Sequence, residues 1–287
     1  MQKIKDYKIL IKLSLSFTVV FTCVICFLLV PNNGYNLKMI CILFLAGLMI
    51  TGSANAINQA VEKDSDALMK RTANRPVAAG RMSDKEAYLF AIIAGILGCL
   101  MMWYFFNFIA AFLSAFSLFL YAFIYTPLKK VNSVSVLVGG FPGAIPCLIG
   151  WVAGFYDQPI AWTGGLILFA IQFIWQFPHF WAIAWVSHQD YTRAGFKLLP
   201  SKEGPTKFTA MQAIMYSVLM IPIGVLPKYF GMTGTTSMWI LIVANLFMVV
   251  QCVRLFNEMD IKAARRVMFS SYIYLPIVYL ALLWDKL

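Results

Sequence analysis

AYLFAIIAGILGCLMMWYFFN, residues 87–107, carries no charge over 21 positions, and past Phe108 a second uncharged run, IAAFLSAFSLFLYAFIYTP, fills residues 109–127. At 1.5 Å per residue, each is the length of an α-helix crossing a hydrocarbon layer about 30 Å thick. The runs are continuous rather than alternating, and lipid offers backbone groups no partner, so they are helices and not barrel strands. Working outward, further apolar spans fall at about 9–31, 38–60, 134–155, 160–186, 208–229, 233–253 and 267–284. Over all 287 residues, 61% are hydrophobic and 12% charged, against roughly 25% charged in a soluble domain. The expectation is an all-α polytopic membrane bundle of nine transmembrane helices, one domain over residues 1–287.

The formal net charge is +11, but the cations are spread by loop, which excludes a nucleic-acid-binding domain. Lys3, Lys5, Lys8 and Lys12 precede the first span. Lys63, Lys70, Arg71, Arg75, Arg81 and Lys85 follow the second, and Lys129 and Lys130 the fourth. Arg193, Lys197, Lys202 and Lys207 follow the sixth, and Arg254, Lys262, Arg265 and Arg266 the eighth. The alternate connections hold only Lys38, Lys228 and Lys286. The positive-inside rule then puts the N-terminus in the cytoplasm and the C-terminus outside, the topology of an odd number of spans. The first span is too long for a signal-peptide core and is expected to be retained. All six cysteines lie in spans, where no disulfide framework is built; Cys23 and Cys26 read as small apolar packing residues.

Five of the 12 acids fall in one stretch, which runs from Asn55 through Asn58, Glu62, Asp64, Asp66, Lys70, Arg71, Asn74, Arg75 and Pro76 to Asp84 and Glu86. The second span is expected to run on into it, so that Asn58, Glu62 and Asp66 recur every fourth residue on one helical face. Clustered carboxylates repel, most strongly at a poorly hydrated boundary. A hard cation such as Mg2+, which takes one or two carboxylates together with phosphate oxygens, removes the conflict. Lys70, Arg71 and Arg75 supply positive charge for phosphate. On spacing alone the stretch reads equally well as a solvated loop.

The segment resembles the first aspartate-rich motif of the UbiA superfamily of intramembrane prenyltransferases, Asn-x-x-x-Asp-x-x-x-Asp, with Glu62 in place of the middle Asp. Its tail, Asp66-Ala-Leu-Met-Lys-Arg-Thr-Ala-Asn-Arg-Pro, is similar to that of the haem O synthases (protoheme IX farnesyltransferases). Tyr125-Thr-Pro-Leu-Lys129, by itself an ordinary interfacial pair, is similar to the superfamily's diphosphate-contacting Tyr-x-x-x-Lys. Trp175-Gln-Phe-Pro-His179-Phe-Trp and His188-Gln-Asp190-Tyr-Thr-Arg193 resemble the haem O synthase stretch around its second acidic motif, with one acid, Asp190, where many members have two. Gly139-Gly140-Phe141-Pro142-Gly143-Ala144-Ile145-Pro146 also resembles this subfamily and reads as a helix-packing surface.

The resemblance implies a UbiA-type bundle around a central chamber, capped by two acidic cytoplasmic loops. It implies transfer of farnesyl from farnesyl diphosphate to a vinyl group of haem b, giving haem O for haem-copper oxidase biogenesis. Mg2+ would be held by Asn58, Glu62, Asp66 and Asp190, and Arg71, Arg75, Tyr125 and Lys129 would grip the diphosphate. Asp66 and Asp190 would act in catalysis, with Asp64 in substrate orientation or proton handling. His179, an intramembrane histidine, reads either as an interhelical hydrogen-bonding group or as an acceptor-binding residue. A bacterial inner membrane is the expected location, and haem A synthase or oxidase assembly factors the expected partners beyond bilayer and substrates. The rivals are an aromatic quinone precursor as acceptor and a membrane transporter.

Overall fold

The computed structural model describes residues 2–31, 36–201 and 203–287; of the loop cations named above, Lys202 lies outside the described residues. The described residues form helices α1 (Gln2–Leu10), α2 (Leu13–Leu28), α3 (Leu37–Val61), α4 (Lys63–Ala67), α5 (Asp84–Phe105) and α6 (Phe108–Phe119). A π-helical turn (Leu120–Tyr125) then leads into α7 (Thr126–Val131), followed by α8 (Ser135–Ala153), α9 (Trp162–Val186) and α10 (His188–Arg193). The chain ends in α11 (Lys207–Tyr229), α12 (Thr235–Glu258) and α13 (Ile261–Trp284). Eight helices among them, counting α6 to α7 as one, are long and apolar enough to cross a membrane, and nine if α1 and α2 form one broken span.

The helix starts are legible in local chemistry. The side chains of Asn36, Ser83, Asn107 and Asp260 each accept a backbone N–H from the first turn, at 3.2, 3.1, 2.8 and 2.6 Å, which satisfies donors that a helix terminus leaves without partners. Ser83 and Glu86 have capping-box spacing, but the Glu86 carboxylate accepts instead from Lys3 (2.7 Å) and Tyr7 (3.0 Å), tying α1 to α5.

The first span is not a straight helix. α1 and α2 meet at 49°, with Lys12 in the left-handed region (φ 47°, ψ 57°), a conformation that costs a non-glycine residue roughly 1–2 kcal/mol. The break frees carbonyls that lipid cannot satisfy, and α3 satisfies them. Gln59 donates to the carbonyls of Ile9 and Leu10 at 2.9 Å, and Asn55 to that of Ile11 at 3.2 Å. At the opposite face, Lys286 donates to the carbonyls of Leu28 and Val30 at 2.8 and 2.7 Å, joining the end of α13 to the end of α2.

α8 and α9 are the centre of the bundle: 72% and 61% of their most apolar windows are buried, against 17% for the α6 to α7 helix. Glycine allows this packing, as the sequence suggested. Gly140 faces the Phe173 ring, Gly164 and Gly165 face Trp151, and Gly150 lies directly on the Cys23 carbonyl. Polar side chains bond across helices, as with Asn245, which donates to the Met220 carbonyl (2.8 Å) and accepts from Tyr274 (2.6 Å). All six cysteines are free.

Because α2 and α8 meet backbone to backbone at Gly150, any Cβ there displaces one of them. Gly150→Val is expected to destabilise the protein by about 2 kcal/mol or more, measured as a lower thermal unfolding midpoint in detergent.

Candidate active site

α3 stops at Val61, rather than running on as the spacing suggested, and only Glu62 separates it from α4. The fourfold register survives the junction: the Glu62 N–H donates to the Asn58 carbonyl at 3.0 Å, and the Asp66 N–H to that of Glu62 at 2.7 Å. Asn58, Glu62 and Asp66 are therefore all buried, and all line one cavity of about 790 Å³.

The partners of these acids come from three other elements. Glu62 forms an ion pair with Lys129 of α7. A single Arg75 nitrogen spans both Asp66 oxygens at 2.8 and 2.7 Å. Lys12, aimed inward by the break between α1 and α2, donates to Asn58 Oδ1 at 2.8 Å and sits in the field of Arg75, Lys129, Glu62 and Asp66. Lys8 and Arg71 also line the wall, so five cations face two carboxylates. That excess of positive charge around two buried carboxylates calls for a polyanion.

The π-helical turn before Pro127 shapes the same wall. The Tyr121 carbonyl accepts from the Thr126 hydroxyl at 2.8 Å, five residues on, and the wider turn brings Tyr121 and Tyr125 side by side, ring centroids 5.3 Å apart. Such turns recur at functional sites. Lys129 Nζ lies 4.8 Å from the Tyr125 ring centre and 5.2 Å from that of Phe196, within cation–π range.

Beneath the charged cavity lies an apolar one of about 520 Å³, walled by α2, α3, α8, α9 and α13. The two share Leu15, Tyr121, Tyr125, His179, Phe180 and Tyr272. His179 stacks on Trp175 at 4.7 Å, and its Nδ1 lies 2.7 Å from Ser271 Oγ. The Ser271 hydroxyl also lies 2.6 Å from the Met268 carbonyl; when it donates there, Nδ1 is the donor to Ser271 Oγ. Nε2 then keeps a lone pair, the state in which an imidazole accepts a hydrogen bond or ligates a metal. In the same wall Gln172 Oε1 and Trp175 Nε1 have no hydrogen-bond partner.

The UbiA prenyltransferase family model matches residues 19–274. The chain belongs to that family. It is 42% identical to the protoheme IX farnesyltransferase of Cytophaga hutchinsonii, over 97% of this chain and 96% of that one. To the protein of the same name from Flavobacterium psychrophilum it is 41% identical, over 98% and 94%. Its fold is that of a digeranylgeranylglyceryl phosphate synthase (TM-score 0.81, 20% identity, 99% of both chains). The fold also matches a UbiA homolog from Archaeoglobus fulgidus bound to GPP and Mg2+ (TM-score 0.65, 15% identity, 96% and 99% covered).

This UbiA-family chain is thus a multi-pass membrane prenyltransferase, and solved members of the fold carry divalent metal. Of the residues singled out in the sequence, Asn58, Glu62, Asp66, Arg71, Arg75, Tyr125, Lys129 and His179 all line the charged cavity. Three do not. Asp64 and Lys70 are exposed and do not line the cavity wall. Asp190 pairs with Arg193, one turn along α10, at 2.7 Å. Its neighbour Tyr191 takes the place on the wall, its hydroxyl 3.3 Å from Arg71. Lys12, Ser271 and Tyr272 were not foreseen. The only signals for them were Lys8 and Lys12 one turn apart and a polar Ser270-Ser271-Tyr272 run inside the last span.

Among the described residues no three His, Cys, Asp or Glu side chains group to hold a metal ion. Two carboxylates and an amide oxygen nevertheless suit Mg2+, which completes its shell with water and phosphate oxygens.

Breaking the buried Glu62–Lys129 pair from one side strands a charge. Lys129→Ala is expected to cost about 3–5 kcal/mol of stability, and adding Glu62→Gln should restore much of it, both read as thermal midpoints in detergent.

Proposed function

We propose that this chain, acting as one domain over residues 1–287, transfers a farnesyl group from farnesyl diphosphate to a vinyl group of haem b, giving haem O and diphosphate. The observation that carries the reading is the pair of buried carboxylates ringed by five cations, from buried Lys129 to exposed Lys8 and Arg71, which roofs an apolar, aromatic cavity whose wall includes His179. The name protoheme IX farnesyltransferase, borne by relatives matching nearly the whole chain, supports the choice of substrates.

In this reading Asn58, Glu62 and Asp66 hold Mg2+, and Asp190 joins them on leaving Arg193. When bound, the ion would neutralise the diphosphate and stabilise charge on the departing oxygen. Lys12, Arg71, Arg75 and Lys129 bind the remaining phosphate oxygens, and the Tyr125 hydroxyl donates to one of them. The farnesyl C1–O bond breaks with its electron pair leaving on diphosphate. The vinyl π pair then forms a bond to C1, and the cation left on the haem side chain takes oxygen from water, whose proton is released, to give the hydroxyethylfarnesyl group.

An allylic cation survives only where water is scarce. The cavity beneath the charged roof meets this need, and the faces of Tyr121, Trp175 and Phe180 are suited to stabilise positive charge. In this reading His179 donates Nδ1–H to Ser271 and presents Nε2 to the acceptor, as haem-ligating histidines do. The unpaired Gln172 and Trp175 polar atoms are suited to an acceptor that carries polar groups as well as an apolar ring. The cation distribution supports a cytoplasmic roof; in this reading the membrane is a bacterial inner membrane and the product passes to haem A synthase or oxidase assembly factors.

Detergent-purified protein given haem b, farnesyl diphosphate and Mg2+ is expected to yield farnesylated haem by mass spectrometry. Asp66→Ala should lower turnover by about 100-fold or more, the effect of removing a group that stabilises transition-state charge. Diphosphate release only with a phenolic acceptor would overturn the substrate, and no turnover with any acceptor would overturn the reading.

A further inference from the structure

A second large concavity lies away from the active site, on the outer surface between α12 and α13, with a volume of about 950 Å³. One wall is the α12 stripe Trp239, Val243 and Phe247, the other the α13 stripe Phe269, Ile273 and Ile277. Each stripe repeats every fourth residue, which keeps its members on one helical face. All six are 45–64% exposed, so they face out of the bundle. At the turn joining the helices the groove ends in Lys262, Arg265 and Arg266. This turn lies at the same membrane face as the charged cavity, since α3 and α12 run in the same direction through the bundle.

The two acids near these cations are already engaged. Glu258 binds Arg266 through both oxygens, at 2.9 and 2.7 Å, and Asp260 caps α13. Lys262 and Arg265, three residues apart, have no acidic partner among the described residues. Gln251, between the cationic end and the apolar stripes, makes no side-chain hydrogen bond there.

From Lys262 to Ile277 the groove runs about 22 Å at 1.5 Å per residue, more than the roughly 15 Å of one hydrocarbon leaflet. We infer that this groove holds an anionic phospholipid, its phosphate on Lys262 and Arg265 and an acyl chain along the two stripes. Charge complementarity decides the occupant: a zwitterionic lipid brings a phosphate already offset by its own ammonium group, and an apolar helix brings no anion, so only an anionic headgroup supplies net negative charge to the two cations.

The test is native mass spectrometry of the full chain in detergent, titrated with phosphatidylglycerol or with phosphatidylcholine of the same acyl chains. Phosphatidylglycerol is expected to bind more tightly, and Lys262→Ala/Arg265→Ala to weaken it about 30-fold, or about 2 kcal/mol for two cations, leaving phosphatidylcholine unchanged. Ile273→Trp, which fills the groove from an exposed position, should weaken both lipids. Equal binding of the two lipids, or a double variant that binds phosphatidylglycerol like the parent, would overturn the assignment. So would a dimer that Ile273→Trp splits, since a second copy would then be the occupant. Neither result bears on prenyl transfer, which the measurement does not use.

Discussion

A carboxylate buried at the edge of a hydrocarbon layer is costly unless it is paired, and the pairing of Glu62 with Lys129 and Asp66 with Arg75 is the constraint around which this molecule is organised. The four residues belong to separate segments: the junction after α3, α4, α7 and the loop before α5. Holding them together requires α3 and the α6 to α7 helix to end at the same depth. It also requires the π-helical turn that brings Tyr125 and Lys129 onto the wall. Without an anionic ligand the cations are more than the carboxylates need. The pairing keeps the roof stable while leaving it a net attraction for phosphate.

The same constraint explains the strained first span. An unbroken α1 and α2 would leave Lys12 on an ordinary helical face; the bend turns it toward Asn58, and the amides of Asn55 and Gln59 hold the bend in place. Three residues of one acidic-motif helix, Asn55, Asn58 and Gln59, thus serve the geometry of a different helix. Below the roof the requirements reverse. Close contact of α8 with α2 at Gly150 and with α9 at Gly140 leaves a chamber lined by apolar and aromatic groups, with polar atoms confined to a few side chains such as Gln172, Gln176 and His179.

Much of this was legible before any coordinates, because the lipid environment simplifies the code. Apolar runs of fixed length located the spans, and loop cations gave their alternation. The acids, too few to be ordinary surface charge, marked one wall of the site. What was not legible depends on tertiary partners. The Lys12 bend has no local signature, since its stabilising donors are more than 40 residues away on α3. The inward helical face predicted for Asn58, Glu62 and Asp66 exists, but across a helix break. Asp190 was expected across the cap; in the structure the cation one turn along its own helix is nearer, and Tyr191 faces the cavity instead. Asp64 shares a motif with Asp66 but not its face, which periodicity implied and the resemblance obscured.

The central claim is that the buried ion pairs form a diphosphate site completed by a divalent ion. It is tested most directly by equilibrium binding of an unreactive farnesyl thiodiphosphate to the detergent-purified chain, with Mg2+ or with chelator, in the parent and in Asp66→Ala. The account predicts tight binding that requires Mg2+ and is lost in the variant. Binding of equal strength without divalent ion, or unchanged in Asp66→Ala, would contradict it.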